Sequence, residues 1–288
     1  MKIKAYLTLL RPANLVTAIA DILAGMAIVG FLWNDCSPIL LFLSTICLYG
    51  GGVVLNDYFD ASIDRFERPE RPIPSGKVSE VSVLVFGSFL LGFGLIFAFL
   101  FQIQSGFIAT AIVILVLTYN RFAKHNSIIG PIVMGMCRGG NLILGMSLVA
   151  EVKTNQLALA ILPILYIAAI TMISRDEVHG GKKTPLVFAG FLYFTVLILQ
   201  LSISFHMGNF FFSFPFVILH SGMIFPPLYF AFQKPIGPLI GKAVKMGVIS
   251  LIVLNASFAA SFGFIFIAIF ILCLLPLSLV LAKYFSVT

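Results

Sequence analysis

Apolar residues run along this chain in long unbroken stretches, with neither the alternation of a half-buried strand nor the single stripe of a surface helix. A helix needs roughly 20 apolar residues to cross a bilayer. Runs of about that length recur at 12–33, 38–59, 80–102, 105–121, 128–149, 157–174, 186–205, 210–231, 239–259 and 262–282. The pattern predicts ten spanning helices, or nine if the last two, parted only by Ser261 and its neighbours, are one element. Spanning β-strands would alternate apolar and polar residues, and these runs do not. The first run follows Lys2, Lys4 and Arg11, as the apolar part of a signal peptide would. It is too long for that and lacks a small-residue cleavage site, so it is read as a true span.

Composition sharpens this picture. Of 288 residues 60% are hydrophobic and 10% charged, with a mean hydropathy of +1.09, against roughly 45–50% and 25% in soluble domains. The expectation is an all-α integral membrane protein, a single polytopic domain over 1–288. Cys36, Cys47, Cys137 and Cys273 are too scattered for a zinc site or a disulfide framework. The net charge of +7 is explained by topology once the N-terminus is placed in the cytoplasm and the helices are threaded alternately. Sixteen of the eighteen Lys and Arg residues then fall on the cytoplasmic side, Lys153 falls opposite, and Arg138 lies inside a helix. The partner implied is the lipid bilayer of the cytoplasmic membrane, with no need of nucleic acid. The outer loops, such as Trp33–Pro38 and Gln102–Ser105, are short and nearly uncharged. Charged loops at about 60–79, 121–127 and 175–185 are expected to form a cytoplasmic active face.

The end of the second run carries the most informative residues. Asn56, Asp60 and Asp64 are spaced i, i+4 and i+8, which places three oxygen donors along one helical face, with Asp57 beside them. Carboxylates crowded at a membrane boundary repel one another. A divalent cation relieves that repulsion, and Mg²⁺ favours a few carboxylates with phosphate oxygens and water. Arg65, Arg68, Arg71 and Lys77 follow at once, bases suited to an anion such as diphosphate. A solvated, self-neutralising loop is the plainer alternative, but Asn56 and Asp57 close an apolar span, where polar groups are costly and usually functional.

The stretch Asn56-Asp57-Tyr58-Phe59-Asp60-Ala61-Ser62-Ile63-Asp64, followed by Arg71-Pro72-Ile73-Pro74-Ser75-Gly76, resembles the first motif of the UbiA-type intramembrane prenyltransferases, and Arg11-Pro12 agrees with it. The resemblance covers about residues 8–260 and implies a bundle of nine helices, with the last run as an addition. It implies that Asn56, Asp57, Asp60 and Asp64 hold Mg²⁺ on the diphosphate of an allylic isoprenoid. Arg65 and Arg68, with Arg11, Lys124 and Lys182, would contact the diphosphate. The family's Tyr-then-Lys loop is matched by Tyr119 and Lys124, the tyrosine offering its π face to carbocation charge; a plain interfacial anchor is the alternative reading.

The family's second acidic motif, two Asp residues four apart, is not matched. Ser174-Arg175-Asp176-Glu177-Val178-His179-Gly180-Gly181-Lys182-Lys183 stands in its place. Glu177 as a second-metal ligand and His179 as ligand or base are the expected substitutes, beside Asp176, facing the first stripe across one cavity. The run Gly130-Pro131 to Gly140-Asn141, with His179-Gly180-Gly181, also resembles the UbiA-like branch called EboC. Within the spans, Arg138 is expected either to pair with Asp21 or to line a cavity, and His220 to be a buried hydrogen-bonding residue. The function implied is Mg²⁺-dependent prenyl transfer to an unidentified acceptor, aromatic or another small molecule. The alternative is a transporter or lipid-handling protein on the same fold, with weak or no catalysis.

Overall fold

The computed structural model describes residues 2–30 and 38–287, and these are helices and short connections, with no strand among the described residues. In chain order the helices are α1 (Lys2–Leu10), α2 (Pro12–Ile28), α3 (Ile39–Phe59), α4 (Ala61–Glu67), α5 (Glu80–Phe101), α6 (Ile103–Thr118), α7 (Ile129–Met146), α8 (Thr154–Leu157), α9 (Ile161–Ser174), α10 (Lys183–His206), α11 (Phe210–Gln233), α12 (Gly237–Ser261) and α13 (Ile265–Tyr284). Among the described residues nine helices are long and apolar enough to cross a membrane, and a tenth span exists if α1 and α2, bent by 44°, are counted together. The expected outer connection Trp33–Pro38, with Cys36, lies mostly outside the described residues.

The breaks have local causes. Pro12 lacks an N–H and disfavours helix at the residue before it. Arg11 accordingly sits in the left-handed region at φ 48° and turns the chain between α1 and α2. Gln102 is extended and folds α5 sharply back into α6. The last two runs are separate helices, because the chain turns at Phe262–Phe264 with Gly263 at φ 85°.

Two apolar cores lie side by side. One gathers residues of α2, α3, α6 and α7 around Leu23, Leu48 and Ile112; the other gathers α9, α10 and α11 around Tyr166, Tyr193 and Val217. Helix α12 runs between them and is buried on all faces from Gly247 to Ser261. Helices α2 and α7 meet backbone to backbone: a Cβ on Gly25 would lie 2.5 Å from Leu142 O, and one on Gly145 2.6 Å from Ile22 O. This close crossing sets Asp21 beside Arg138 and Asn141. Exposed Phe89, Phe107, Phe194, Phe211 and Phe266 coat the outside of the bundle, as lipid requires.

Candidate active site

A cavity of about 470 Å³ opens where α3, α6 and α9 end and α7 begins. Helix α3 stops at Phe59, Asp60 caps it, and α4 restarts at once, so Asn56, Asp60, Asp64 and Arg68 still line one side. Opposite, α6 ends in a single π-turn over Tyr119–Ala123, closed by Lys124 N donating to Tyr119 O at 3.0 Å. Such turns recur at functional sites. Here it brings Tyr119, Asn120 and Lys124 to the same wall.

Each carboxylate of the stripe has a base. Lys124 Nζ donates to Asp60, and Arg71 donates to Asp64 Oδ2 at 2.7 Å. The Asn56 amide, oriented by its neighbours, turns its oxygen to Lys124 at 2.9 Å and its nitrogen to Asp60 at 3.2 Å. Burial raises the Asp64 carboxyl above its ordinary range against the pull of Arg71. Burial also lowers the Lys124 ammonium, with Asp60 opposing. In both, burial works against the charged form and the paired charge works for it.

Deeper in the bundle, Arg138 Nε lies 2.6 Å from Asp21 Oδ2, and Asp21 also accepts from Asn141 at 2.9 Å and Asn255 at 2.7 Å. Arg138 lines the inner cavity as well, its guanidinium 5.5 Å from the centre of the Tyr49 ring. Both expected roles are therefore present in one residue. His220 is fully buried and pairs with Gln200 at 3.1 Å.

Several sequence expectations are corrected. Asp57 does not face the cavity: it is buried behind the stripe, accepting from Arg11 at 2.8 Å and Arg71 at 3.3 Å. Position i+1 on a helix points about 100° from its neighbour, and two arginines hold it there. Arg65 turns outward to Glu80 at 2.6 Å and is mostly exposed. Arg71, on the loop after α4, is the arginine held against the stripe.

On the second loop, Glu177 lines the cavity and pairs with Arg68 at 3.5 Å. His179 does not join it: its side chain is 75% exposed and meets Glu67 at 3.3 Å. Asp176 folds over Gly181, and Lys182 is exposed outside the cavity. Among the described residues no three His, Cys, Asp or Glu side chains converge to hold a metal ion. The five-ligand set of Asn56, Asp57, Asp60, Asp64 and Glu177 is therefore not assembled. The donor chemistry nonetheless fits Mg²⁺, which needs only one or two carboxylates beside phosphate and water. Asn120, which donates to Gly52 O at 3.3 Å and lines the cavity beside Asn56, is not singled out by the sequence. Its place one residue after Tyr119, at the end of an apolar span, was the available signal.

Comparison with known proteins adds to this geometry. The model of the UbiA prenyltransferase family matches residues 18–235. A digeranylgeranylglyceryl phosphate synthase of Thermococcus sibiricus is 30% identical over 194 residues, 65% of this chain and 70% of that protein. One from Methanothrix thermoacetophila is 32% identical over 186 residues, 62% and 69% of the two chains. A UbiA homolog from Archaeoglobus fulgidus, solved with GPP and Mg²⁺, superposes with a TM-score of 0.61 at 16% identity, covering 91% of this chain and 99% of that one.

Proposed function

The chain belongs to the UbiA prenyltransferase family, and from that premise we propose that it transfers a prenyl group from an allylic isoprenoid diphosphate to a small-molecule acceptor in a Mg²⁺-dependent reaction. The observation that carries this reading is the meeting of Asn56, Asp60 and Asp64 with Arg68, Arg71 and Lys124 around one cavity mouth. Asp60 and Asp64, with Asn56, would hold Mg²⁺, which when bound supplies neutralising charge to the diphosphate.

The chain's own residues account for the rest. Lys124, Arg71 and Arg68 donate hydrogen bonds toward the departing pyrophosphate, where negative charge grows as the allylic C–O bond breaks and its electron pair leaves with oxygen. Tyr119 stands at the same wall to face the positive carbon. Apolar Ile112, Val116, Ile167, Ile170 and Val248 line the cavity and exclude water until the acceptor forms the new bond and gives up its proton. The charged end of the bundle faces the cytoplasm by its excess of Lys and Arg. A reporter at Lys182 should then read cytoplasmic and one at Lys153 external.

The direct test supplies geranyl diphosphate to purified protein together with a membrane extract as the source of acceptor. Mg²⁺-dependent release of pyrophosphate, lost in Asp60→Asn, supports transfer. Movement of a prenylated metabolite across vesicles without pyrophosphate release would replace this reading with a transporter.

A further inference from the structure

The cavity has a floor, and one short stretch of α7 sets its depth. Around the cavity α2, α3, α6, α7, α9 and α12 form a ring in which each helix packs on the next, and α12 packs again on α2. Within that ring the residues from Arg138 to Asn141 touch α2, α3, α6 and α9. Arg138 faces Asp21 of α2 at 2.6 Å and lies 5.5 Å from the centre of the Tyr49 ring of α3. A Cβ on Gly139 would fall 2.7 Å from Ile164 Cγ1 of α9, and one on Gly140 2.9 Å from Ile112 Cγ1 of α6. Asn141 accepts from Thr45 of α3 at 2.6 Å and donates to Asp21 at 2.9 Å, and Asn255 of α12 donates to the same carboxylate at 2.7 Å. The bundle is tied shut at this level.

The lining residues stop there on the other walls too. From Asn56 to Tyr49 on α3, from Tyr119 to Ile112 on α6 and from Ser174 to Ile167 on α9 the cavity descends seven residues each time, about 10 Å along a helix. An extended isoprene unit adds four chain carbons, about 5 Å at ordinary carbon–carbon bond lengths. With the diphosphate held by Asp60, Asp64 and Lys124 at the mouth, two units reach the floor and a third does not fit in line. Pushing apolar carbon further would part an ion pair from its hydrogen-bonded amides and leave buried polar groups without partners.

We propose that this floor gauges the donor, and that the cavity takes a chain of two isoprene units, the geranyl length. Leu48, Tyr49 and Ile112 are the residues on which the chain end stops. Val116 stands one turn above Ile112 on α6, beside the second unit. The proposal rests on the prenyl-transfer reading and deepens it by fixing the size of the donor.

The test measures Mg²⁺-dependent binding of dimethylallyl, geranyl and farnesyl thiolodiphosphates, which resist ionisation, to the full chain in nanodiscs. Each affinity is corrected for the probe's own partition into empty discs. Wild type should hold the geranyl probe roughly tenfold more tightly than the dimethylallyl probe, because five more carbons are buried, and the farnesyl probe no more tightly than the geranyl one. Ile112→Ala lowers the floor beside Gly140 and should shift the preference about tenfold toward farnesyl. Val116→Phe fills the place of the second unit and should cancel the advantage of geranyl over dimethylallyl while dimethylallyl still binds.

Farnesyl binding tenfold tighter than geranyl in wild type, or a length preference unchanged in either folded variant, overturns the gauge and leaves the prenyl-transfer reading in place. Failure of all three probes to bind with Mg²⁺ removes both. Val116→Phe opens no cavity and adds no charge, so it decides alone if Ile112→Ala is not recovered.

Discussion

The two acidic loops that meet at the cavity mouth are built on opposite plans. The first, after α3, has a small core of its own: Ile73, Val78 and Val83 pack with Ala5, Leu9 and Val54. That core presses Arg71 against Asp57 and Asp64, and the side chains of all three are at most 11% exposed. The second, after α9, is held mainly by backbone. Gly181 N donates to Pro235 O at 3.1 Å, and Gly237 lies so near Glu177 that a Cβ there would fall 2.5 Å from the Glu177 carbonyl oxygen. Glu177 reaches inward, while His179 stays in the open. Packed loops can hold charge in a fixed arrangement at low dielectric, where it acts strongly, whereas a tethered loop delivers one side chain.

Substitutions ordered by expected effect probe that contrast. Asp60→Asn should lower Mg²⁺-dependent pyrophosphate release by roughly 10²–10³-fold, the scale of losing one preorganised electrostatic contact; a tenfold or smaller loss would place the chemistry elsewhere. Asp57→Asn should act on stability, because it leaves the largely buried Arg11 without its carboxylate and removes one of the two that hold Arg71. Breaking such a pair costs about 3 kcal/mol, readable as a drop in melting temperature with and without Mg²⁺. If activity falls while the melting temperature holds, Asp57 has a direct role in the site.

Asp64→Asn should lose diphosphate binding yet leave the metal-free protein as stable as wild type or more so, since burial already disfavours its charge. A lower melting temperature would mean that the Arg71 pair outweighs burial. Glu177→Gln should reduce the rate about tenfold, as for a residue acting through a neighbour, here Arg68. His179→Ala, removing an exposed contact to Glu67, should change the rate less than about twofold. A large loss there would reverse the contrast and restore the histidine to the site.

The sequence by itself determined the membrane class, the ten apolar runs and the charged end. Each follows from local composition over some twenty residues, and lipid leaves few alternatives to helix. It also singled out Asn56, Asp60 and Asp64, because helical spacing at the end of a span limits where such residues can point, whereas Tyr119 and Lys124 stood out only by their resemblance to the family's loop. The partner Asp21 for Arg138 was legible for a similar reason: two opposite charges at matching depth in lipid have little else to bind. What only the tertiary structure decided is which of several neighbouring residues of one type faces inward. Asp57 against Asp60, Arg65 against Arg71, and Glu177 against His179 look equivalent along the chain. Their directions depend on the break at Asp60, the small core under the first loop and the contact of the second loop with Gly237. Those contacts join residues far apart in sequence, and their geometry is set by packing, so no local pattern encodes them.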